Sequence, residues 1–388
     1  MIDIDFEPNL NDDNFLKQYD IIHYHRTIGD YAQMESLNVK LKDLGIISIM
    51  DLDDHWAPGV HHPAYHLIKQ HKLDEKILNN IKLAQNVTTT TPIFAEEISK
   101  YNKNVFILPN AIDPTETQFI PNLEPSNGRL RIGWLGGSSH LVDLQILKGI
   151  VGRLKSDGLI DKVQFVLCGF DIRGTHTQIN QDTGEQIVTN ITPKQSVWYQ
   201  YEKLFTDDYK TVSPEYKDYL MTFKQDDFVG VENEPYRRVW TKPISTYASN
   251  YNLFDVSLAP IEENIFNKVK SQLKVIEAGF HHKAIIAQNY GPYKIDLINA
   301  IDFGGVINQS ANGILIDTLK NHKDWYSAIK KLIKNPDLVK TLQDNLHETI
   351  KDTYSMNKVT ENRRNLYLDL INKSKVISVT NETEKVMN

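Results

Sequence analysis

A single cysteine, Cys168, stands among the 388 residues, so no internal disulfide can form, and a reducing compartment is the simplest setting. No apolar run approaches the roughly 18–20 residues that a membrane-spanning helix needs. The opening segment, MIDIDFEPNLNDD, is acidic and lacks a signal-peptide pattern. A cytoplasmic protein is therefore expected. A basic excess is missing too. Lys and Arg number 43 against 50 Asp and Glu, a net charge of -7, which disfavours nucleic acid as the main partner. Neither glycine turn in the chain has the G-x-G-x-x-G spacing of a dinucleotide site, which disfavours an oxidoreductase. What remains is globular composition, 40% hydrophobic and 24% charged, in a chain long enough for two domains.

Short apolar runs alternate with helical patterns from the N-terminus. DIIHYH (20–25), IISIMDLDD (46–54), NVTTTT (86–91) and NVFILPN (104–110) read as buried strands. Helical stretches lie near 30–44, 70–84 and 92–100. Such alternation predicts a parallel sheet with helices on its faces. Residues 114–128, rich in Pro, Asn, Glu and Gly, read as a linker. A second series follows: RLRIGWLGG (129–137), a helix over about 141–155, and VQFVLCGF (163–170). Residues 171–240 break the rhythm and read as an insertion rich in Trp and Tyr. FDVSLAPI (254–261), a helix from about 271, AIIAQ (284–288), a helix near 292–300, a strand pair around 304–317 and helices over 322–371 complete the series. The expected division is a first domain over 1–125 and a second over 126–350. A helix at 351–372 returns to the first domain, and a flexible tail covers 373–388.

Two stretches could carry chemistry. Gly133-Trp-Leu-Gly136-Gly137-Ser138-Ser139-His140 lies between a predicted strand and helix, where backbone N–H groups can approach a phosphate. A tight turn with no ligand fits it equally well. In Glu262–Ala278, Val269, Leu273, Ile276 and Phe280 share a core-facing stripe. Lys270, Lys274 and Glu277 share another face, behind Ser271 as N-cap. Lysines at a helix start suit a diphosphate, and a carboxylate two turns on suits a ribose diol. An exposed amphipathic helix with solvated charges has the same spacing. In the first half, His23, His25 and Arg26 end one predicted strand, and Asp51, Asp53, Asp54 and His55 end another. Such residues can orient an acceptor hydroxyl or take its proton, or simply cap helices.

APIEENIFNKVKSQLKVIEAGFHHKAIIAQNYGPY (259–293) resembles the donor-binding segment of GT-B glycosyltransferases, especially glycosyltransferase family 4 (group 1). Asn267, Lys270, Ser271, Lys274 and Glu277 match a subgroup pattern F-N-x-x-K-S-x-x-K-x-x-E. GWLGGSSH resembles the glycine turn that opens the nucleotide-binding domain. The resemblance implies an α/β GT-B protein, two Rossmann-like domains with parallel sheets facing a cleft, the N-terminal one short. It implies transfer of a sugar, with retention, from a nucleoside-diphosphate donor to a glycan or lipid-linked acceptor, without cofactor or metal and with peripheral membrane association. Donor contacts are expected from Gly136, Gly137, Ser138, His140, Asn267, Lys270, Ser271, Lys274 and Glu277, the last on the ribose. Glu263, His25 and Asp53 are the expected catalytic groups. Three departures stand out. Val269 occupies the first position of the family's E-x7-E pattern, Ser138, Ser139 and His140 replace an Arg and a Lys, and the family's opening strand and glycine loop have no counterpart. A degenerate, non-catalytic sugar-nucleotide or glycan binder is therefore the rival reading. A DNA-modifying glycosyltransferase is a further one, which the acidic charge disfavours.

Overall fold

Strand alternation becomes two separate parallel sheets. The computed structural model describes all residues except 1–3, 5–7, 123–124, 172–174, 180–185, 193–194, 207–227, 230–234, 301–307, 318–320 and 388. The chain forms two units. The first comprises Met1–Ala111, Asn264–Gln272 and Tyr354–Asn388, and the second Ile112–Glu263 and Leu273–Thr353.

The first unit holds β1 (Ile21–His25), β2 (Ile47–Leu52), β3 (Asn86–Thr89) and β4 (Val105–Ile107), all parallel and in the order β1-β2-β3-β4. Period-two alternation divides β2 between the sheet's faces. Met50 and Leu52 pack with Met34, Leu37, Leu41, Ile77 and Ile81 of the helices Met34–Asp43 and Leu73–Leu83. Ile47 and Ile49 pack with Leu370 of the helix Met356–Met387. That helix runs through 373–387, expected as a tail, because nothing between 356 and 387 is a Gly or Pro that would stop it.

Among its described residues the second unit holds a sheet of seven strands: β5 (Leu130–Leu135), β6 (Val163–Phe170), β9 (Phe228–Val229), β10 (Tyr236–Trp240), β11 (Val256–Ala259), β12 (Ala284–Gln288) and β13 (Ile314–Ile316). A separate hairpin pairs β7 (Thr175–Ile179) with β8 (Gln186–Asn190). The sheet order is β13-β12-β11-β5-β6-β10-β9, and among the described strands only β9 runs antiparallel. The chain winds outward from β5 through β6 to β10, then returns to β11 on the other side of β5. The β5/β11 crevice is therefore the topological switch point, where ligands of doubly wound sheets bind.

Several expectations need correction. The stretch read as an insertion supplies part of the second unit's frame: it holds the helix Val197–Phe205 and β10, which pairs with β6. Trp198, Tyr201, Tyr236 and Trp240 are core residues. Tyr209, Tyr216 and Tyr219 lie outside the described residues. The helix expected over 141–155 is two helices, Leu141–Gln145 and Ile150–Ser156. Gly149, at φ 102, separates them, and the His322 ring fills the space a Cβ would need. The helix expected near 292–300 is a single 3-10 turn, Gly291–Lys294, and of the strand pair around 304–317 the described residues show β13.

Candidate functional site

In the second unit the glycine turn emerges from β5 and is held from three sides. Gly136 N–H donates to the Cys168 carbonyl at 3.4 Å. Gly169, at φ 97, comes so close that a Cβ there would lie 2.3 Å from the Gly136 oxygen. The Tyr201 hydroxyl accepts from His140 N–H (2.9 Å) and donates to the Gly137 carbonyl (3.1 Å). A fixed turn results, with Gly137, Ser138 and Ser139 exposed. Gly133 has a different role: a Cβ there would fall 2.0 Å from the Phe254 ring, so the residue makes room for packing.

Asp143 ties the two sides of the switch point together. One carboxylate oxygen accepts from Glu262 N–H, in the loop after β11, at 2.7 Å. The other bonds His140 Nδ1 at 2.7 Å. Asp143 was missed in the sequence, where only its position three residues after His140 hinted at a link. A cavity of about 570 Å³ opens beside this joint, with Asp143, Glu262 and Glu263 facing Lys148 and His322. Its carboxylates outnumber its bases, which makes it a poor receptor for a polyphosphate.

Lys274 and Glu277 belong to the helix Leu273–Phe280. The Lys274 ammonium donates to the Leu135 carbonyl and sits 5.3 Å over the Trp134 ring, which places a cation at the root of the glycine turn. Glu277 is 4% exposed. It accepts hydrogen bonds from the hydroxyls of Tyr247 and Tyr251, the latter at 3.0 Å. Burial raises its pKa against the opposing pull of Tyr247 and Lys274. Neither tyrosine was singled out from sequence, since a lone Tyr in a polar stretch has no distinctive spacing.

The other half of the motif folds with the first unit. Asn264 caps the short helix Ile265–Lys268 through Asn267 N–H at 2.8 Å. Val269 is 1% exposed and joins the core of the first unit. Ser271 is not the cap of Leu273–Phe280, which starts two residues later. Its hydroxyl accepts from Asn110 Nδ2 at 2.9 Å. Lys270 therefore lies off that helix, outside the face expected for it with Lys274 and Glu277. It sits over the Phe266 ring and near Asp54 and His62.

At the carboxyl ends of β1 and β2, His25 Nε2 meets Asp53 at 2.9 Å, and Arg26 reaches the same oxygen at 3.2 Å. The His25 bond leads in holding the Asp53 pKa well below the usual carboxylate range. Arg26 adopts φ 56, with its N–H on the Asp51 carbonyl and its carbonyl accepting from Asn80. A non-glycine residue held in that region is a strained position fixed by its neighbours. A second network joins Tyr367, His23, Thr88 and Asp51: His23 shares bonds with Tyr367 (2.5 Å) and Thr88 (3.1 Å), and Thr88 donates to Asp51 at 2.6 Å. Among the described residues no group of three or more His, Cys, Asp or Glu is placed to hold a metal ion.

No family model and no curated protein sequence matches the chain. Solved structures do. Anabaena HepE in complex with UDP-glucose superposes with a TM-score of 0.53 at 12% identity, over 92% of this chain and 80% of that one. Trehalose 6-phosphate synthase from Burkholderia multivorans gives 0.53 at 11%, over 96% and 75%. The catalytic domain of Arabidopsis thaliana starch synthase IV, bound to ADP and acarbose, gives 0.51 at 12%, over 91% and 73%. The fold is GT-B. That agrees with the resemblance carried by the donor-like segment. At these identities the likeness concerns the fold. Among the described residues no helix is long and apolar enough to cross a membrane.

Proposed function

We propose that the chain is a glycosyltransferase that moves a hexosyl group from a nucleoside-diphosphate donor to a hydroxyl of a glycan or lipid-linked acceptor. The observation that carries this reading is the joint at the switch point of the second unit. A fixed glycine turn with Gly137, Ser138 and Ser139 exposed follows the Leu135 carbonyl that the Lys274 ammonium holds, and Asp143 ties the Glu262 loop to it through His140. The chemical demand of sugar transfer is a departing diphosphate. N–H groups of a fixed turn and an ammonium beside it stabilise that charge as it develops. HepE has been seen with UDP-glucose, and starch synthase IV with ADP and acarbose. A sugar nucleotide is thus a ligand this fold accommodates.

In this reading Gly136, Gly137, Ser138 and His140 border the diphosphate, Lys274 neutralises it and Glu277 takes the ribose. Asn267, Lys270 and Ser271 are the further donor contacts that the motif resemblance implies, and Glu263 offers a carboxylate for the transferred sugar. His25, its ring held by Asp53, orients the acceptor hydroxyl. The acceptor oxygen bonds to the anomeric carbon, the bond to the diphosphate oxygen breaks, and the hydroxyl proton leaves with the diphosphate. Retention is the stereochemical outcome carried by the family resemblance, and the anomer of the product, read by NMR, tests it. No cofactor or metal is required, and the acceptor is met on the cytoplasmic side, at a membrane surface if lipid-linked.

The test is release of nucleoside diphosphate from donor in the presence of acceptor. Lys274→Ala and Asp53→Asn should each lower turnover at least tenfold. Unchanged turnover in Lys274→Ala sinks the donor-site assignment. One observation favours a non-catalytic binder instead: the position of the family's first glutamate is Val269, buried in a core. Donor binding without turnover of any acceptor would favour that reading.

A further inference from the structure

The two tyrosines on Glu277 are not equivalent. Tyr251 is 1% exposed, stacks on His281 with ring centroids 5.1 Å apart and planes 13° apart, and packs on Phe254. It is a fixed donor. Tyr247 is half-buried and begins the 3-10 segment Tyr247–Leu253. The four residues before it, Pro243–Thr246, are exposed, with Ile244 at 86%. Its side chain thus reaches a buried carboxylate from a surface turn.

We propose that Tyr247 is a displaceable latch. Its hydroxyl holds the place on Glu277 that a ligand hydroxyl takes, while Tyr251 stays and keeps the carboxylate oriented. This rests on the reading of Glu277 as a ribose receptor and adds its regulation. Tyr247 bonds one carboxylate oxygen and Tyr251 the other, and a buried oxygen that loses its donor costs free energy. The empty site therefore needs a hydroxyl of its own, and an entering diol repays the bond that Tyr247 gives up. Part of the donor's affinity is spent on opening the latch. The subsite then favours ligands with ribose hydroxyls, because a sugar lacking both would leave Glu277 to Tyr247.

The experiment compares binding of UDP, GDP and ADP, and of the 2′,3′-dideoxy form of whichever binds, to the wild type, Tyr247→Phe and Glu277→Gln by calorimetry. Removing the latch hydroxyl should tighten the ribonucleotide about tenfold, the weight of one hydrogen bond to a charged group, and leave the dideoxy form unchanged. Hydrogen exchange across residues 243–250 of the wild type should quicken when the ribonucleotide binds. Weaker ribonucleotide binding in Tyr247→Phe, equal effects on both nucleotide forms, or slower exchange overturns the latch and leaves Tyr247 as a positioning residue. If Glu277→Gln binds as tightly as the wild type, the ribose assignment itself fails. If no nucleoside diphosphate binds the wild type or Tyr247→Phe, both readings fall.

Discussion

Asp143→Ala is the perturbation that bears most directly on how the site is assembled. The carboxylate is 7% exposed and carries two charge-assisted bonds of 2.7 Å, to Glu262 N–H and to His140 Nδ1. Hydrogen bonds to a charged group contribute about 1.5–3 kcal/mol each. Losing both, offset in part by relief of the cost of burying a carboxylate, should cost about 3 kcal/mol. For a unit of more than 150 residues that lowers the melting temperature by roughly 6–12 °C. Four of the five tryptophans, Trp134, Trp198, Trp240 and Trp325, are buried in the second unit, so thermal melting followed by tryptophan fluorescence reports mainly on it. His140→Ala removes one of the two bonds and should show about half the loss. Asp143→Asn keeps an acceptor for one donor and should fall between. An Asp143→Ala protein that melts within about 2 °C of the wild type would show that the joint does not hold the two loops.

Other consequences are open to measurement. Lys283 is fully buried, its Nζ has no hydrogen-bond partner among the described residues, and burial pushes its pKa down to about 8 despite the nearby Asp255, whose effect Arg131 opposes. A lysine depressed in the folded state makes the fold lose stability as pH falls from its unfolded value near 10.5 to about 8, with no further loss below. Lys283→Met should therefore stabilise the protein at pH 7 by about 3 kcal/mol and flatten the stability profile between pH 8 and 10.5. Urea melts at pH 7, 9 and 10.5 check this, and an unchanged slope contradicts it. Arg238 forms an ion pair with Glu202, both at most 2% exposed. Arg238→Met takes this guanidinium away from a buried carboxylate and should destabilise by about 3–5 kcal/mol, whereas Arg238→Met with Glu202→Leu should recover most of it. Gly169→Ala drives a Cβ against the Gly136 carbonyl. It should weaken donor binding more than an alanine at Gly137, which meets nothing within 4 Å.

The parallel architecture was legible because buried strands such as Ile47–Leu52, Val163–Phe170 and Ala284–Gln288 are short apolar runs between helical periods. β10 was hidden for the opposite reason. Its core is Tyr-Arg-Arg-Val-Trp, and two buried arginines look like surface. The Glu202 partner, 36 residues earlier, helps to accommodate Arg238. The glycine turn and Lys274 could be found by position and motif. Asp143, Tyr201, Tyr247 and Tyr251 could not, because each acts through a partner distant in sequence or through a backbone group. Periodicity also placed Lys270 on the wrong element. It counts spacing but does not see that Val269 is drawn into the core of the first unit before the helix begins at Leu273.

The central claim is that the second unit binds a nucleoside-diphosphate sugar at the turn above Lys274. Thermal melting of the wild type and Lys274→Ala against UDP-, GDP-, ADP- and CMP-sugars tests it most directly. At a hundredfold excess over Kd, a true donor stabilises the fold by about 2.7 kcal/mol, a shift of several degrees. The account predicts that shift for one nucleoside-diphosphate sugar and its loss in Lys274→Ala. No shift with any of them, or an equal shift in both proteins, would contradict it.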